Sequence, residues 1–169
     1  MREVVIVDYD PRWPQLFAAE AVGLGQAFGP ALLRLEHVGS TSVPGLAAKP
    51  IVDVQAVVRS VPEADRFAPV LAAMGWEQGV FTFDTRPRLY FKKHDGSGVR
   101  THQLHVYEPT NPAAADHRLF RDYLRAHADE AKRYVVLKRV LAGQFKHDPL
   151  GYSKAKTDHV QSVLRKARG

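Results

Sequence analysis

Hydrophobic and polar positions change their rhythm along this chain. The first two thirds hold short apolar runs broken by turn residues. The last third holds apolar positions at helical spacing among many basic residues. Residues 4–7 read as a short strand. Asp10-Pro11 then pairs a capping residue with a proline suited to a first helical turn. Residues 12–28 carry Trp13, Leu16, Phe17, Val22 and Leu24 near a helical period, and Gly29-Pro30 ends the run. Residues 32–38 have strand length. Residues 51–58 form a second, mostly apolar strand of the kind buried on both faces. Residues 62–74 predict an amphipathic helix closed by Gly75.

Strands are expected at 76–83 and 88–93, separated by a polar turn at 84–87. The sequence HDGSG at 94–98 predicts a hairpin turn, with 100–107 as the returning strand. After a loop at 109–112, helices are expected over 116–126, 129–145 and 152–167. There is no internal repeat and no low-complexity linker. The pattern predicts a single α+β domain over residues 1–169, a mixed sheet followed by a helical C-terminal third.

Composition narrows the function classes. The 169 residues include no cysteine, which removes disulfides, cysteine-type zinc sites and thiol nucleophiles. No apolar run approaches the roughly 20 residues of a membrane span. The opening MREVVIVDYD has no signal-like apolar segment, so a cytoplasmic location is the expectation. The net charge of +6 favours anionic partners: a nucleotide, another phosphorylated small molecule, or RNA.

The densest chemistry lies in HVGSTSVPGLAAKPIVDV, residues 37–54. Gly39 permits close backbone approach. Ser40, Thr41 and Ser42 add hydroxyls, and the turn adds backbone N–H groups, together an anion cradle. Lys49 adds a positive charge. Asp53 sits in an apolar strand, where a carboxylate needs a cation or hydrogen bonds. Alternation places Asp53, Gln55 and Val57 on one strand face. In 100–107 it places Gln103, His105 and Tyr107 on one face and His102, Leu104 and Val106 on the other. Arg121 and Arg125, four apart, share a helix face and are candidates to clamp a phosphate. Arg88 and Tyr90 are candidates to line the same cleft.

The run from His37 to Asp53 resembles the hallmark of the GrpB family, within the nucleotidyltransferase-like superfamily. Further matching stretches are YDPRW at 9–13, RLYF at 88–91, THQLHV at 101–106 and FRDYLR at 120–125. Tyr134, Leu137-Lys138, Tyr152 and Lys154-Ala155-Lys156 match as well. The resemblance spans nearly the whole chain. It implies a nucleotidyltransferase-like sheet flanked by helices, and in some bacteria a fusion to dephospho-CoA kinase. This chain has no Walker A motif, so kinase activity is not carried over.

Nucleotidyltransferases hold two divalent ions with two or three carboxylates. Here Gln55 stands where a second acid belongs, and Gln103 replaces a histidine of the family's His-His-x-His. What remains is Asp53 with His105, both as catalytic groups and, with His102, as ligands to a divalent metal such as Mg, Mn or Zn. Metal-assisted nucleotidyl transfer and non-catalytic binding of a nucleotide, a coenzyme A-like molecule or RNA both follow from this set. Acyl or aminoacyl transfer on the same scaffold is a third course.

Overall fold

The structure is a computed structural model that describes residues 3–80 and 88–169. Helix α1 runs from Trp13 to Phe28. It begins two residues later than the capping signal implied. Asp10 instead turns its carboxylate onto the Arg12 N–H and guanidinium, and Pro14 occupies the first helical turn. Gly29 ends the helix at φ 49°, where only glycine is unstrained. Residues 4–7 do not form a strand. Val7 makes an isolated bridge with Ala48, and the Val4 N–H is taken by the Lys146 carbonyl.

Strands β1 (Leu32–Val38), β2 (Val52–Val58), β3 (Trp76–Gly79), β4 (Leu89–His94) and β5 (Arg100–Tyr107) form a sheet in the order β1-β2-β5-β4-β3. The β2–β5 pair is parallel and the others antiparallel, so the sheet is mixed as expected. The outer part of the 76–83 strand and the 84–87 turn lie outside the described residues.

The helix expected over 62–74 is broken. It divides into α2 (Val61–Ala64), a 3-10 turn (Asp65–Phe67) and α3 (Ala68–Ala73). Pro69 has no N–H to donate back four residues, so the chain restarts with Pro69 in a new first turn. Helix α4 (Pro112–Ala126) starts four residues early because the Asn111 side chain caps the Ala113 N–H. Helix α5 covers Ala128–Gln144. The last expected helix is two, α6 (Pro149–Ala155) and α7 (Thr157–Arg168). Asp148-Pro149 supplies the α6 cap, its carboxylate accepting from Gly151 N.

Strand alternation gives the sheet two unlike faces. Val52, Val54, Ala56 and Val58 of β2, with Leu104 and Val106 of β5, pack against Trp13, Leu24 and Phe28 of α1. This apolar layer is the main core. The odd-numbered residues point the other way, towards α4 and the C-terminal helices. There the face is polar, and it floors the cleft described next.

Candidate functional site

Strand β1 ends at Val38, which pairs with Asp53 of β2 across the antiparallel ladder. That register sets the carboxylate beside the turn that follows β1. Gly39 holds φ 71° and ψ −173°, and Ser40–Ser42 complete a 3-10 turn. A Cβ at Gly39 would stand 2.3 Å from Asp53 Oδ2, so the close approach itself requires glycine. The turn consumes much of its own hydroxyl chemistry. Ser42 Oγ donates to the Gly39 carbonyl at 2.5 Å, and Thr41 Oγ1 pairs with His37 Nε2 at 2.9 Å. Ser40 acts on the buried phenol of Tyr134, pulling its pKa down against the upward push of burial.

The turn and Asp53 open on a cleft of about 880 Å³, within the range of small-molecule sites. Among the described residues, six cationic side chains line it: Lys49, Arg88, Lys92, Arg100, Lys138 and Lys156. Three carboxylates line it there, and two are paired elsewhere, Glu3 with Lys146 and Asp116 with Arg168. Asp53 is therefore the carboxylate at its centre. Burial pushes the Asp53 acid up to about 6, against the opposing pull of Lys49, Lys156 and Arg100.

His105 Nε2 lies 4.0 Å from Asp53 Oδ1. Burial, then His117 and Arg88, hold the His105 imidazole well below its ordinary range, so it is neutral and the two do not form an ion pair. Its ring sits among Tyr90 at 5.2 Å, His117 at 5.7 Å and Tyr107 at 6.2 Å between centroids. Tyr90 donates to Gln103 Oε1 at 2.5 Å, and Arg88 donates to the Tyr107 hydroxyl at 2.6 Å.

Several sequence-predicted residues are placed elsewhere. His102 projects to the opposite face of β5, edge-on to Trp76 at 6.0 Å, and is not brought to Asp53 and His105. Alternation is the reason: residues 102 and 105 differ by an odd number of positions. Arg121 and Arg125 do share a helix face, but that face meets backbone carbonyls behind the turn. Arg121 donates to His37 O at 3.0 Å and Arg125 to Ser42 O at 2.6 Å. Neither these arginines nor Ser42 line the cleft. They brace the turn from outside. Gln55, fully buried, donates to Ala114 O at 3.0 Å and pairs with His117 at 3.0 Å, so its amide is committed to joining β2 to α4.

Lys138 and Lys156, which the sequence offers only as further basic residues of the C-terminal helices without a role, reach the cleft. Lys138 Nζ stands 4.6 Å from the Tyr134 ring centroid and donates to the Ala47 carbonyl. Lys156 Nζ stands 4.3 Å from the Tyr152 centroid, and Lys49 Nζ lies 5.1 Å from the same ring. Burial first, then neighbouring ammonium charge, pulls Lys138 and Lys156 each down to about 7. The signal was legible: Tyr134/Lys138 and Tyr152/Lys156 repeat one Tyr-x-x-x-Lys spacing, which stacks amine on ring along a helix.

Donor chemistry does not fit a two-metal centre. Asp53 is the central carboxylate, His105 is the neighbouring donor, and ammonium groups crowd the carboxylate. Among the described residues no group of three His, Asp or Glu side chains is placed to hold an ion.

The folded chain defines a class first. It aligns with the Cid1 poly(U) polymerase solved with MgATP at a TM-score of 0.56 and 15% identity, over 82% of this chain and 44% of that one. The architecture is thus a nucleotidyltransferase-like mixed sheet flanked by helices. Within that class the chain belongs to the GrpB family, whose model, described as GrpB protein, matches residues 3–166. The crystal structure of GrpB from Enterococcus faecalis superposes at a TM-score of 0.87 with 33% identity, over 96% of both chains. The UPF0157 protein YqkA of Bacillus subtilis is 39% identical over 99% of this chain, and the match spans 48% of YqkA. A dephospho-CoA kinase of Mycolicibacterium paratuberculosis is 30% identical over 97% of this chain and 46% of its own length. Among the described residues no helix is long and apolar enough to cross a membrane.

Proposed function

We propose that the chain binds a nucleotide or another phosphorylated ligand in the cleft between the Gly39-Ser40 turn and Asp53. The observation that supports this most is the meeting, among the described residues, of a glycine-dependent turn, one central carboxylate and six cationic side chains around one cavity. Gly39 and Ser40 receive a phosphate through backbone N–H and hydroxyl, and Lys49 adds charge. Arg88 and Tyr90 also line the cleft and are available to a base or sugar. In a nucleotidyl transfer Asp53, ionised above about pH 6, accepts the proton of the attacking hydroxyl as its oxygen bonds the α-phosphorus and the bond to the departing pyrophosphate breaks. Neutral His105 positions that hydroxyl. The solved Cid1 chain with MgATP supports a nucleotide as the ligand class by fold.

Non-catalytic binding is the second reading. It is favoured by Gln55, whose amide is committed to Ala114 and His117 where transferases carry an acid.

The test is thermal stability with ATP, UTP and coenzyme A, alone and with MgCl2 or MnCl2. A ligand at 100 times its dissociation constant adds about 2.7 kcal/mol, a rise of roughly 5–10 °C for a chain of this size. The Gly39→Ala variant loses the shift. A flat melting temperature across the panel refutes the proposal. A short RNA in the same panel reports whether the phosphate belongs to a polymer.

A further inference from the structure

We propose that this cleft holds the phosphate of its ligand without a divalent metal, the ammonium groups of Lys49, Lys138 and Lys156 supplying the positive charge. The inference rests on the reading that the cleft takes a phosphorylated ligand. It adds how that ligand is held, and its ligand class is a polyphosphate tail or phosphomonoester.

Geometry carries it. Three amines from distant parts of the chain converge on two tyrosines. Lys49 follows the Ala48 bridge to Val7, Lys138 lies within α5, and Lys156 sits at the junction of α6 and α7. Lys49 and Lys156 share the Tyr152 ring, while Lys138 lies on Tyr134. Among the described residues these three amines gather around one carboxylate, Asp53, so the half-buried space carries more positive than negative charge and favours a further anion. After burial, repulsion among the amines holds Lys138 and Lys156 below their ordinary range.

A second observation points to a ligand. The Tyr152 side chain is fully buried and lines the cleft, yet its hydroxyl has no hydrogen-bond partner among the described residues. A phosphate oxygen would supply the acceptor that this O–H lacks. A third is the poverty of metal ligands among the described residues. Lys49, Lys156 and Arg100 all act electrostatically on Asp53, so among the described residues a dication entering here meets ammonium and guanidinium rather than a second carboxylate.

The experiment is isothermal titration calorimetry of the intact chain with ATP and with inorganic tripolyphosphate, each in EDTA and in MgCl2. Both probes bind in EDTA, with affinities within about threefold of those in Mg²⁺. Lys156→Met and Lys49→Met each weaken binding by about tenfold or more, equivalent to about 1.4 kcal/mol. Asp53→Asn tightens it by about threefold, because a charge facing the phosphate is removed. Lys132→Gln, on the exposed outer face of α5, leaves binding unchanged. Melting curves without ligand confirm that each variant folds, and the two lysine variants are read independently.

Binding that vanishes in EDTA, or in Asp53→Asn, overturns metal independence while the phosphorylated-ligand reading stands. A loss in Lys132→Gln equal to that in Lys156→Met shows a diffuse basic surface and overturns the lysine site. No binding in either buffer overturns both the inference and the reading beneath it.

Discussion

Gly39→Ala probes the contact on which the site is built. The residue holds φ 71° and ψ −173°, a region that only glycine occupies readily, at a cost of about 1–3 kcal/mol for another residue. The new Cβ would also lie 2.3 Å from Asp53 Oδ2, 3.0 Å from Cγ and 3.1 Å from Cβ. Rotating the carboxylate relieves the first contact, but the Asp53 Cβ is fixed by β2 and cannot retreat. Backbone strain and overlap together predict a loss of about 2–4 kcal/mol. Gly45→Ala is the matched control. Its φ is 77°, but nothing lies within 4 Å of where the new methyl would stand, so it carries backbone strain alone, about 1–2 kcal/mol.

Urea denaturation of both variants measures the difference as a change in midpoint at constant slope. Adding Asp53→Ala to Gly39→Ala removes the contacts with Oδ2 and Cγ but keeps that with Cβ, so coupling of the pair recovers only part of the loss, about 0.5–1 kcal/mol. A Gly39→Ala loss below about 0.5 kcal/mol, or one no larger than that of Gly45→Ala, refutes the close approach of turn and carboxylate.

Asp53→Asn tests burial of the acid. The folded group titrates at about 6 against an ordinary 3.8, so the folded chain holds that proton more tightly and wild-type stability falls as pH rises from about 4 to about 6. The advantage of the variant should grow across that window and level off at no more than about 3 kcal/mol; a pH-independent difference counts against it. Lys138 titrates at about 7 when folded against 10.5, so the unfolded chain binds more protons between those values and stability rises with pH through them. Lys138→Met should flatten that rise in urea melts at pH 7 to 10. Gln55→Glu would set carboxylate oxygen against the Ala114 carbonyl and should destabilise by about 2 kcal/mol or more; a neutral substitution would show that the amide is not needed there. Arg125→Ala removes two bonds to the Ser42 carbonyl and should cost about 1–2 kcal/mol, read by thermal melting, with weaker ATP binding through a loosened turn.

Much of the sheet was legible in local sequence. The β1 and β5 bounds agree with the strands observed, because apolar spacing and flanking turn residues are local properties. Alternation also placed Asp53 with Gln55, and His105 apart from His102, before any packing was known. Segments with competing signals were less legible. Pro69 divided one expected helix into two short pieces, and Asp148-Pro149 opened a helix that periodicity alone had merged with its successor.

The sequence by itself determined the family, the strand faces, and the glycine turn ahead of one acid. Only the tertiary structure decided which cations serve that acid. Arg121 and Arg125 had the right spacing, but α4 docks so that their guanidinium groups meet backbone carbonyls. Lys138 and Lys156 lie far from the turn along the chain, and helix packing brings them onto the cleft. Periodicity reports which residues share a face of one element. Which faces then meet depends on long-range packing, and that packing turned a motif near the N-terminus into a cleft floored by two strands and ringed by lysines from the other end of the chain.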